Sequence, residues 1–275
     1  MADPRAFSAY PLPAVNDATL TCVGVRLSGD ATAWIKAAMP FTTARERTHA
    51  GRFVHALDAA RHLVGRALVR RMLWAAQGGA WTTDFPRTPW GKPTCPPDGL
   101  GAPPARNAID FSITHSGDMV WAAFCQKGAV GMDVEQTRPI PDIAELAAQL
   151  HPQECRLVRS LSDPERTEAF YRCWTRKEAV LKALGRGLSL PLHGFQVRTE
   201  RDAQEWLVSL PNAAGHDQAA RPARPAWPAG WERECAAWTT RDIDVGPGYQ
   251  CSVAASAPHL RVAAVLLENV GECGA

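Results

Sequence analysis

Two acidic side chains lie close together near the middle of the chain. Asp133 and Glu135 are separated by one residue in the sequence Val-Gly-Met-Asp-Val-Glu at 130–135. If this segment is a strand, both carboxylates point to the same face, because side chains alternate along a strand. Neighbouring carboxylates repel each other unless a cation lies between them, and such oxygen ligands suit Mg²⁺. The pair is therefore a candidate metal site, although an exposed strand end with two solvated acids fits the same spacing.

An acid and a base follow farther along the chain at helical spacing. Residues 174–182 read Trp-Thr-Arg-Lys-Glu-Ala-Val-Leu-Lys, so Trp174, Glu178 and Lys182 follow one another at i, i+4 steps. On an isolated helix Glu178 and Lys182 would form an ordinary surface ion pair worth roughly a few tenths of a kcal/mol. Phe170 extends the same face, and aromatic side chains favour burial. We therefore expect the charged pair to lie at the edge of a packed interface.

The two motifs are specific in combination. G-x-D-x-E at 131–135 and W-x-x-K-E-A-x-x-K at 174–182 together resemble the paired signature of the 4′-phosphopantetheinyl transferase superfamily. The resemblance includes Gly-Lys-Pro at 91–93, Phe-Ser-Ile-Thr-His-Ser-Gly at 111–117 and Gly-Leu-Ser-Leu-Pro-Leu at 187–192. In length the chain is similar to the two-lobed surfactin-synthetase type, which works as a pseudo-dimeric monomer, rather than to the short, trimeric acyl-carrier synthase type.

The resemblance implies a reaction and roles for its residues. The enzyme would transfer the 4′-phosphopantetheine group of coenzyme A to a serine hydroxyl of an apo acyl or peptidyl carrier protein and release 3′,5′-ADP. Asp133, Glu135 and Glu178 would hold Mg²⁺ together with the coenzyme's pyrophosphate, and the metal would neutralise charge on the phosphate oxygens. Glu178, or a water held by it and the metal, is the candidate base. Lys182 would stabilise or protonate the departing phosphate.

The resemblance also assigns contacts to coenzyme A. Lys92 in its Pro/Gly-bounded loop and the Thr114-His115 pair match positions that contact the phosphates of the coenzyme, and hydroxyl and cationic donors suit phosphate. Lys177 and Lys182 are further expected contacts. Three of these residues also have an ordinary structural interpretation. Lys92 would be a solvated loop charge, His115 would be a hydrogen-bonded histidine in a turn, and Lys177 would face solvent.

The 3′-phosphate of the coenzyme needs a basic site of its own. Arg61 matches the family best among the clustered arginines, which are Arg45, Arg47, Arg52 and Arg61. Relatives often have Asn and Ser where this chain has Ser112 and Thr114, and they have lysines where it has Glu46 and His49, with arginines adjacent. The exact 3′-phosphate contacts therefore stay open.

Composition excludes several other classes. The chain has 275 residues, of which 46% are hydrophobic, and a net charge of only +2. This balance argues against nucleic-acid binding and against a membrane-surface role. The eight cysteines include no C-x-x-C pair, which argues against zinc. No signal pattern and no apolar run of about 18 residues is visible, so we expect a cytoplasmic protein with reduced thiols.

The elements that must position these residues form two sets. The first set comprises a strand at 21–27, a helix at 58–77 and strands at 109–114 and 120–125. A further strand at 130–134 follows closely and carries the two acids, and the close spacing of these three strands favours antiparallel pairing. The second set begins with helices at 143–150, after 152 and at 164–185. Strand patterns then follow at 195–199, 205–210, 235–240, 249–255 and 262–268.

These elements predict an α+β fold with two similar lobes, each a small, mostly antiparallel sheet packed on a long helix. Residues 1–128 would form the N-terminal lobe, with the nucleotide contacts to coenzyme A. Residues 129–275 would form the C-terminal lobe, with the metal and the catalytic residues. The segment 211–230, rich in Ala, Pro, Gly and Arg, predicts a flexible insertion. The active site is expected between the lobes.

Two other functions fit part of the pattern. D-x-E with a Glu/Lys helix also suits a metal-dependent nuclease or phosphohydrolase, but such an enzyme has no need of Gly91-Lys92-Pro93 or Thr114-His115. A non-catalytic adaptor that binds coenzyme A or a carrier domain could use the same scaffold. The presence of all three acids and Lys182 argues against an adaptor.

Overall fold

The chain forms two sheet-and-helix lobes whose sheets face each other. The computed structural model describes residues 3–77, 83–95, 109–126, 128–186, 191–200, 206–207, 238–256 and 261–267. Helices and strands occur in both lobes, and each lobe has a four-stranded sheet and one long helix. The predicted two-lobed α+β fold is therefore confirmed.

The first lobe is built around a mixed sheet. Its strands, in the order in which they lie side by side, are β2 (Asp110–Ser116), β3 (Met119–Cys125), β1 (Thr19–Arg26) and β8 (Arg261–Leu267). Strand β1 runs antiparallel to β3 and parallel to β8. The helices of this lobe are α1 (Ala31–Ala38), α2 (Ala44–Ala50) and α3 (Ala56–Gln77). Apolar residues of α3, among them Leu63 and Leu68, pack against Phe111 and Phe124 of the sheet to form the first core.

The second lobe carries the motif-bearing strand and helix. Its antiparallel sheet has the order β4 (Val130–Gln136), β7 (Tyr249–Ala255), β6 (Thr239–Asp242) and β5 (Trp206–Leu207). The helices are α4 (Ile143–Ala147), α5 (Pro152–Ser160) and α6 (Glu165–Leu184), and α6 packs across β4 and β7. Gly185 ends α6 in the left-handed region, with φ of 69°. Strand β4 and helix α6 thus bring the two sequence motifs together.

Some elements differ from the sequence prediction. The last described strand, which the predicted boundary assigns to the C-terminal lobe, pairs with β1 in the first sheet because it fills the free edge of that strand. No strand forms at 195–199; a short 3₁₀ turn, Leu192–Gly194, precedes extended chain, and the amide of Val197 donates to Glu154 instead. Helices α1 and α2 were not predicted. The predicted insertion 211–230 and most of the predicted strands 205–210 and 235–240 lie outside the described residues.

The glycine of the first motif, Gly131, lies where helix α6 packs directly on strand β4. A Cβ added at Gly131 would lie 1.9 Å from the carbonyl oxygen of Ala179 and 2.3 Å from the amide nitrogen of Ala183. Both atoms belong to the main chain of α6, so neither can rotate away. Only a residue without a side chain allows β4 and α6 to approach this closely.

Gly131→Ala is therefore expected to lower the free energy of unfolding by about 3 kcal/mol, because α6 must move away from β4. Urea denaturation measures this change. Gly51→Ala is the matched control, since a Cβ there would lie 3.6 Å from its nearest neighbour, an ordinary contact. Equal stability of the two variants would contradict the tight packing of α6 on β4.

No helix within the described ranges is long and apolar enough to cross a membrane. Four cysteines in the described part of the chain carry free thiols: Cys22, Cys155, Cys173 and Cys251.

Candidate active site

A cleft of about 560 Å³ lies between the two lobes. Its second-lobe wall contains the predicted acids and base, which are Asp133, Glu135, Glu178 and Lys182. Its first-lobe wall contains most of the predicted coenzyme contacts, which are Arg61, Lys92, Thr114 and His115. The structure therefore brings together every predicted site residue except Lys177.

Asp133 lies at the floor of the cleft and is only 4% exposed. Its Oδ1 accepts hydrogen bonds from Lys182 Nζ at 2.6 Å and from the Thr114 hydroxyl at 3.2 Å. Burial raises the pKa of Asp133, while the Lys182 charge and these hydrogen bonds oppose the rise. Its Oδ2 is buried and has no hydrogen-bond partner among the described residues. One oxygen of this carboxylate is thus free to take a cation.

Glu135 and Glu178 complete an acidic wall. Glu135 accepts a hydrogen bond from the Ser116 hydroxyl at 2.7 Å. Burial raises the pKa of Glu178 to about 7, and the negative charges of Asp133 and Glu135 add to the rise. Glu178 Oε1 is also buried without a partner in the part of the chain that the structure describes. Three acids facing one lysine leave an excess of negative charge that a cation would stabilise.

The three carboxylates fit a Mg²⁺ site that water and substrate phosphates would complete. Within the described ranges, no group of three His, Cys, Asp or Glu side chains is already arranged around one metal position. Mg²⁺, however, commonly takes one or two carboxylates and completes its shell with water and substrate phosphates. The unpartnered oxygens of Asp133 and Glu178 are suitable ligands of this kind. The Mg²⁺ site stays a prediction, now with two specific oxygen atoms assigned to it.

Lys177 does not face the cleft, which corrects both the coenzyme-contact and the solvent interpretations. Its side chain is fully buried and forms an ion pair of 2.9 Å with Glu154, whose side chain is fully buried as well. Lys177 Nζ also donates to the carbonyl oxygens of Leu192, at 2.8 Å, and Phe195, at 2.5 Å. The lysine therefore joins α5 and α6 to the chain that follows α6.

The basic residues of the first lobe already have partners in the chain. Lys92 Nζ lies 2.6 Å from Asp110 and 3.0 Å from the carbonyl oxygen of Val130. Arg61 donates to the carbonyl oxygen of Gly117 and, at 2.5 Å, to Asp58. Lys92 and Arg61 would each have to share or exchange one of these partners to contact a phosphate. Their contacts with coenzyme A stay predictions.

His115 projects into the cleft beside these cations. Partial desolvation lowers the pKa of His115, and the charges of Lys182 and Arg61 act in the same direction. A neutral imidazole in the cleft suits hydrogen bonding better than ion pairing. Its coenzyme contact stays a prediction.

Sequence analysis missed Arg66, His62 and Trp90, which also line the cleft. Arg66 and His62 additionally line a second cavity of about 590 Å³, which has a further cationic rim of Arg45 and Arg87. The i, i+4 spacing of His62 and Arg66 on α3 was the available signal, but helix arginines are common on surfaces. Burial lowers the pKa of Arg66 to about 10.

Glu46 of α2 has a role in packing the first lobe. It is 8% exposed, and its carboxylate lies 2.6 Å from Arg70. It also completes a capping box with Thr43 at the start of α2. Glu46 therefore stabilises the first lobe beneath the second cavity.

Comparison with known proteins agrees with this arrangement. Residues 129–236 match the model of the 4′-phosphopantetheinyl transferase superfamily, and residues 30–127 match that of the 4′-phosphopantetheinyl transferase N-terminal region. The chain is 33% identical to 4′-phosphopantetheinyl transferase Sfp of Bacillus subtilis, over 80% of this chain and 84% of the relative. It is 36% identical to 4′-phosphopantetheinyl transferase ffp of Bacillus subtilis, over 63% and 73% of the two chains. It is 30% identical to mouse L-aminoadipate-semialdehyde dehydrogenase-phosphopantetheinyl transferase, over 63% and 60%. The sequence prediction is thus confirmed: the chain is an enzyme that belongs to the 4′-phosphopantetheinyl transferase superfamily, in its two-lobed type.

Proposed function

We propose that this enzyme transfers the 4′-phosphopantetheine group of coenzyme A to a serine hydroxyl of an apo acyl or peptidyl carrier protein, with Mg²⁺ as cofactor and 3′,5′-ADP as the second product. One observation carries the proposal. Three acids and Lys182 on one wall of the cleft face two cations, Lys92 and Arg61, and the imidazole of His115 on the other. Cations on one side and metal-binding acids on the other suit a pyrophosphate, because its oxygens bind both.

The metal would be held by Asp133, Glu135 and Glu178. The unpartnered Oδ2 of Asp133 and Oε1 of Glu178 are the oxygens we assign to it. When bound, Mg²⁺ supplies positive charge that stabilises the charge developing on the phosphate oxygens. Coenzyme phosphates would complete the coordination shell, which explains why the acids alone do not surround one position.

The proton and the leaving group need separate protein groups. The serine oxygen bonds to the β-phosphorus of coenzyme A while the bond from that phosphorus to the bridging oxygen of 3′,5′-ADP breaks. Glu178, or a water held by it and the metal, is the base that accepts the serine proton, because its carboxylate lies in the cleft beside Asp133 and Lys182. Lys182 then stabilises or protonates the departing phosphate.

The coenzyme is expected to lie across both lobes. Its pyrophosphate would lie beside Asp133 and Lys182, and its nucleotide would extend along the first lobe. Arg66 belongs to the lining of both the cleft and the second cavity, so it offers a cation where the two spaces meet. Because both walls of the cleft come from one chain, a monomer supplies the complete site, and we include a monomeric enzyme in the proposal.

Lys182→Met is expected to lower the rate of transfer by about 10²-fold or more while coenzyme A binding is largely kept. The reason is that Lys182 acts on charge that develops only as the phosphate departs. Single-turnover kinetics with an apo carrier protein measures the rate, and calorimetry measures the binding. A variant that binds coenzyme A poorly but transfers at the normal rate when saturated would contradict this role.

The proposed function is tested by following release of 3′,5′-ADP from coenzyme A. Chromatography should show 3′,5′-ADP only when an apo carrier protein and Mg²⁺ are both present, and EDTA should abolish its formation. A carrier protein whose acceptor serine is replaced by alanine is the control. Release that continues with this control carrier would instead indicate a phosphohydrolase.

A further inference from the structure

Strands β2 and β4 meet at the boundary between the two lobes. Strand β2 stands at one end of the first sheet, and β4 stands at one end of the second sheet. A strand in such a position has a row of backbone N–H groups that its own sheet does not use. Here β4 lies against the first lobe, so those N–H groups are shielded from water and need partners.

Side-chain oxygens of β2 provide these partners at every second residue. The amide of Val130 donates to Asp110 Oδ2 at 2.7 Å. The hydroxyls of the next three alternate residues each accept one amide hydrogen bond of 3.1 Å: Ser112 from Met132, Thr114 from Val134, and Ser116 from Gln136. We call these four contacts the β2–β4 ladder. They pair side chains of one lobe with the main chain of the other.

Two hydroxyl groups of the β2–β4 ladder, those of Thr114 and Ser116, also contact the acids of the site. The Thr114 hydroxyl donates to Asp133 and accepts from the Val134 amide and from Lys182 Nζ. A hydroxyl has one donor and two acceptor positions, so that of Thr114 is fully used. The Ser116 hydroxyl accepts from the Gln136 amide and donates to Glu135. Each hydroxyl thus fixes an acid and the amide of the residue that follows this acid.

We propose that Thr114 and Ser116 are positioning residues that fix the metal-binding acids through the β2–β4 ladder, and that Thr114 is not a coenzyme phosphate ligand. This inference rests on the proposed function for the role of the acids. It is supported by the hydrogen bonds of the Thr114 hydroxyl, whose one donor and two acceptor positions are all used within the protein.

The test separates metal binding from coenzyme binding. Thr114→Val keeps the shape of the side chain and removes its hydroxyl, and Ser116→Ala does the same at a less buried position. Groups that orient metal ligands typically change metal affinity by about 10–100-fold when removed. We expect each variant to weaken Mn²⁺ binding by about tenfold or more, measured by electron paramagnetic resonance with coenzyme A present. Coenzyme A binding in EDTA, measured by calorimetry, should be unchanged.

Conservative variants and amide exchange provide the controls. Thr114→Ser and Ser116→Thr keep the hydroxyl and should restore Mn²⁺ affinity. Hydrogen exchange should become faster at Val134 in Thr114→Val and at Gln136 in Ser116→Ala, with no coenzyme or metal present. Reduced coenzyme A affinity in EDTA with normal Mn²⁺ affinity would overturn the proposal, and so would unchanged Mn²⁺ affinity and exchange in both variants. Amide exchange does not depend on transfer. If the enzyme modified no carrier, the proposed function would be refuted, whereas the amide-exchange result would still support the β2–β4 ladder.

Discussion

Asp133→Asn and Glu178→Gln are each expected to reduce transfer by about 10³-fold or more, the largest loss of activity that we predict. Each substitution keeps the size of the side chain and removes a negative charge from the metal site. Asp133 is buried beside Lys182, and the oxygen of Asp133 that lacks a partner is the one we assign to the metal. Single-turnover transfer with an apo carrier protein at saturating Mg²⁺ measures the effect.

A matched control is available on the same helix as Glu178. Glu165 is an exposed acid in the first turn of α6, so Glu165→Gln removes one charge from the same helix without touching the cleft. It should transfer at the normal rate. Thermal unfolding should show that Asp133→Asn and Glu178→Gln remain folded. Near-normal transfer by either cleft variant would refute the assignment of that acid.

Lys177→Met is expected to lower the free energy of unfolding by about 3–5 kcal/mol, the largest loss of stability that we predict. Methionine has a similar length, so the change mainly removes the charge. The loss arises because Glu154, whose side chain is fully buried, would be left without its cation. Two main-chain carbonyl oxygens would lose a donor as well. Urea denaturation measures the difference.

The double variant Lys177→Met, Glu154→Gln serves as the control for this prediction. It removes both charges, so it should recover part of the stability lost in the single variant. Coenzyme A affinity of the folded single variant should match that of the original protein. Normal stability combined with weak coenzyme A binding would instead restore Lys177 as a coenzyme contact.

Local periodicity predicted which side chains of the two motifs lie together, whereas the site itself was predicted from the combination of the motifs. The alternation of side chains along a strand placed Asp133 and Glu135 on one face, and i, i+4 spacing placed Glu178 beside Lys182. The structure brings all four to one cleft. These relations depend only on nearby residues, so they can be read from sequence.

Lys177 shows where local spacing stops being informative. It is adjacent to Glu178, but successive helix residues differ in direction by about 100°, so the two side chains face different surroundings. Whether the Lys177 side meets solvent, ligand or protein depends on Glu154 on another helix. A contact between distant segments leaves no periodic signal in a single sequence.

The same limit applies to the edges of the fold. Strand β8 was expected in the second lobe, yet it pairs in parallel with β1 near the start of the chain. Helices α1 and α2, which the sequence prediction missed, have only eight and seven residues. Helices this short depend on tertiary packing for their stability, so their sequence signal is weak. The hydroxyls at Ser112, Thr114 and Ser116 were noticed as a motif, but their contacts with β4 required the structure.

The central claim is that this cleft transfers phosphopantetheine to a carrier serine, and intact-mass analysis of the carrier tests it most directly. Several apo carrier proteins are incubated with the enzyme, coenzyme A and Mg²⁺. We predict that at least one gains the mass of a single phosphopantetheine group on its acceptor serine, and that Asp133→Asn abolishes the gain. No mass gain on any carrier, or an equal gain with Asp133→Asn, would contradict the account.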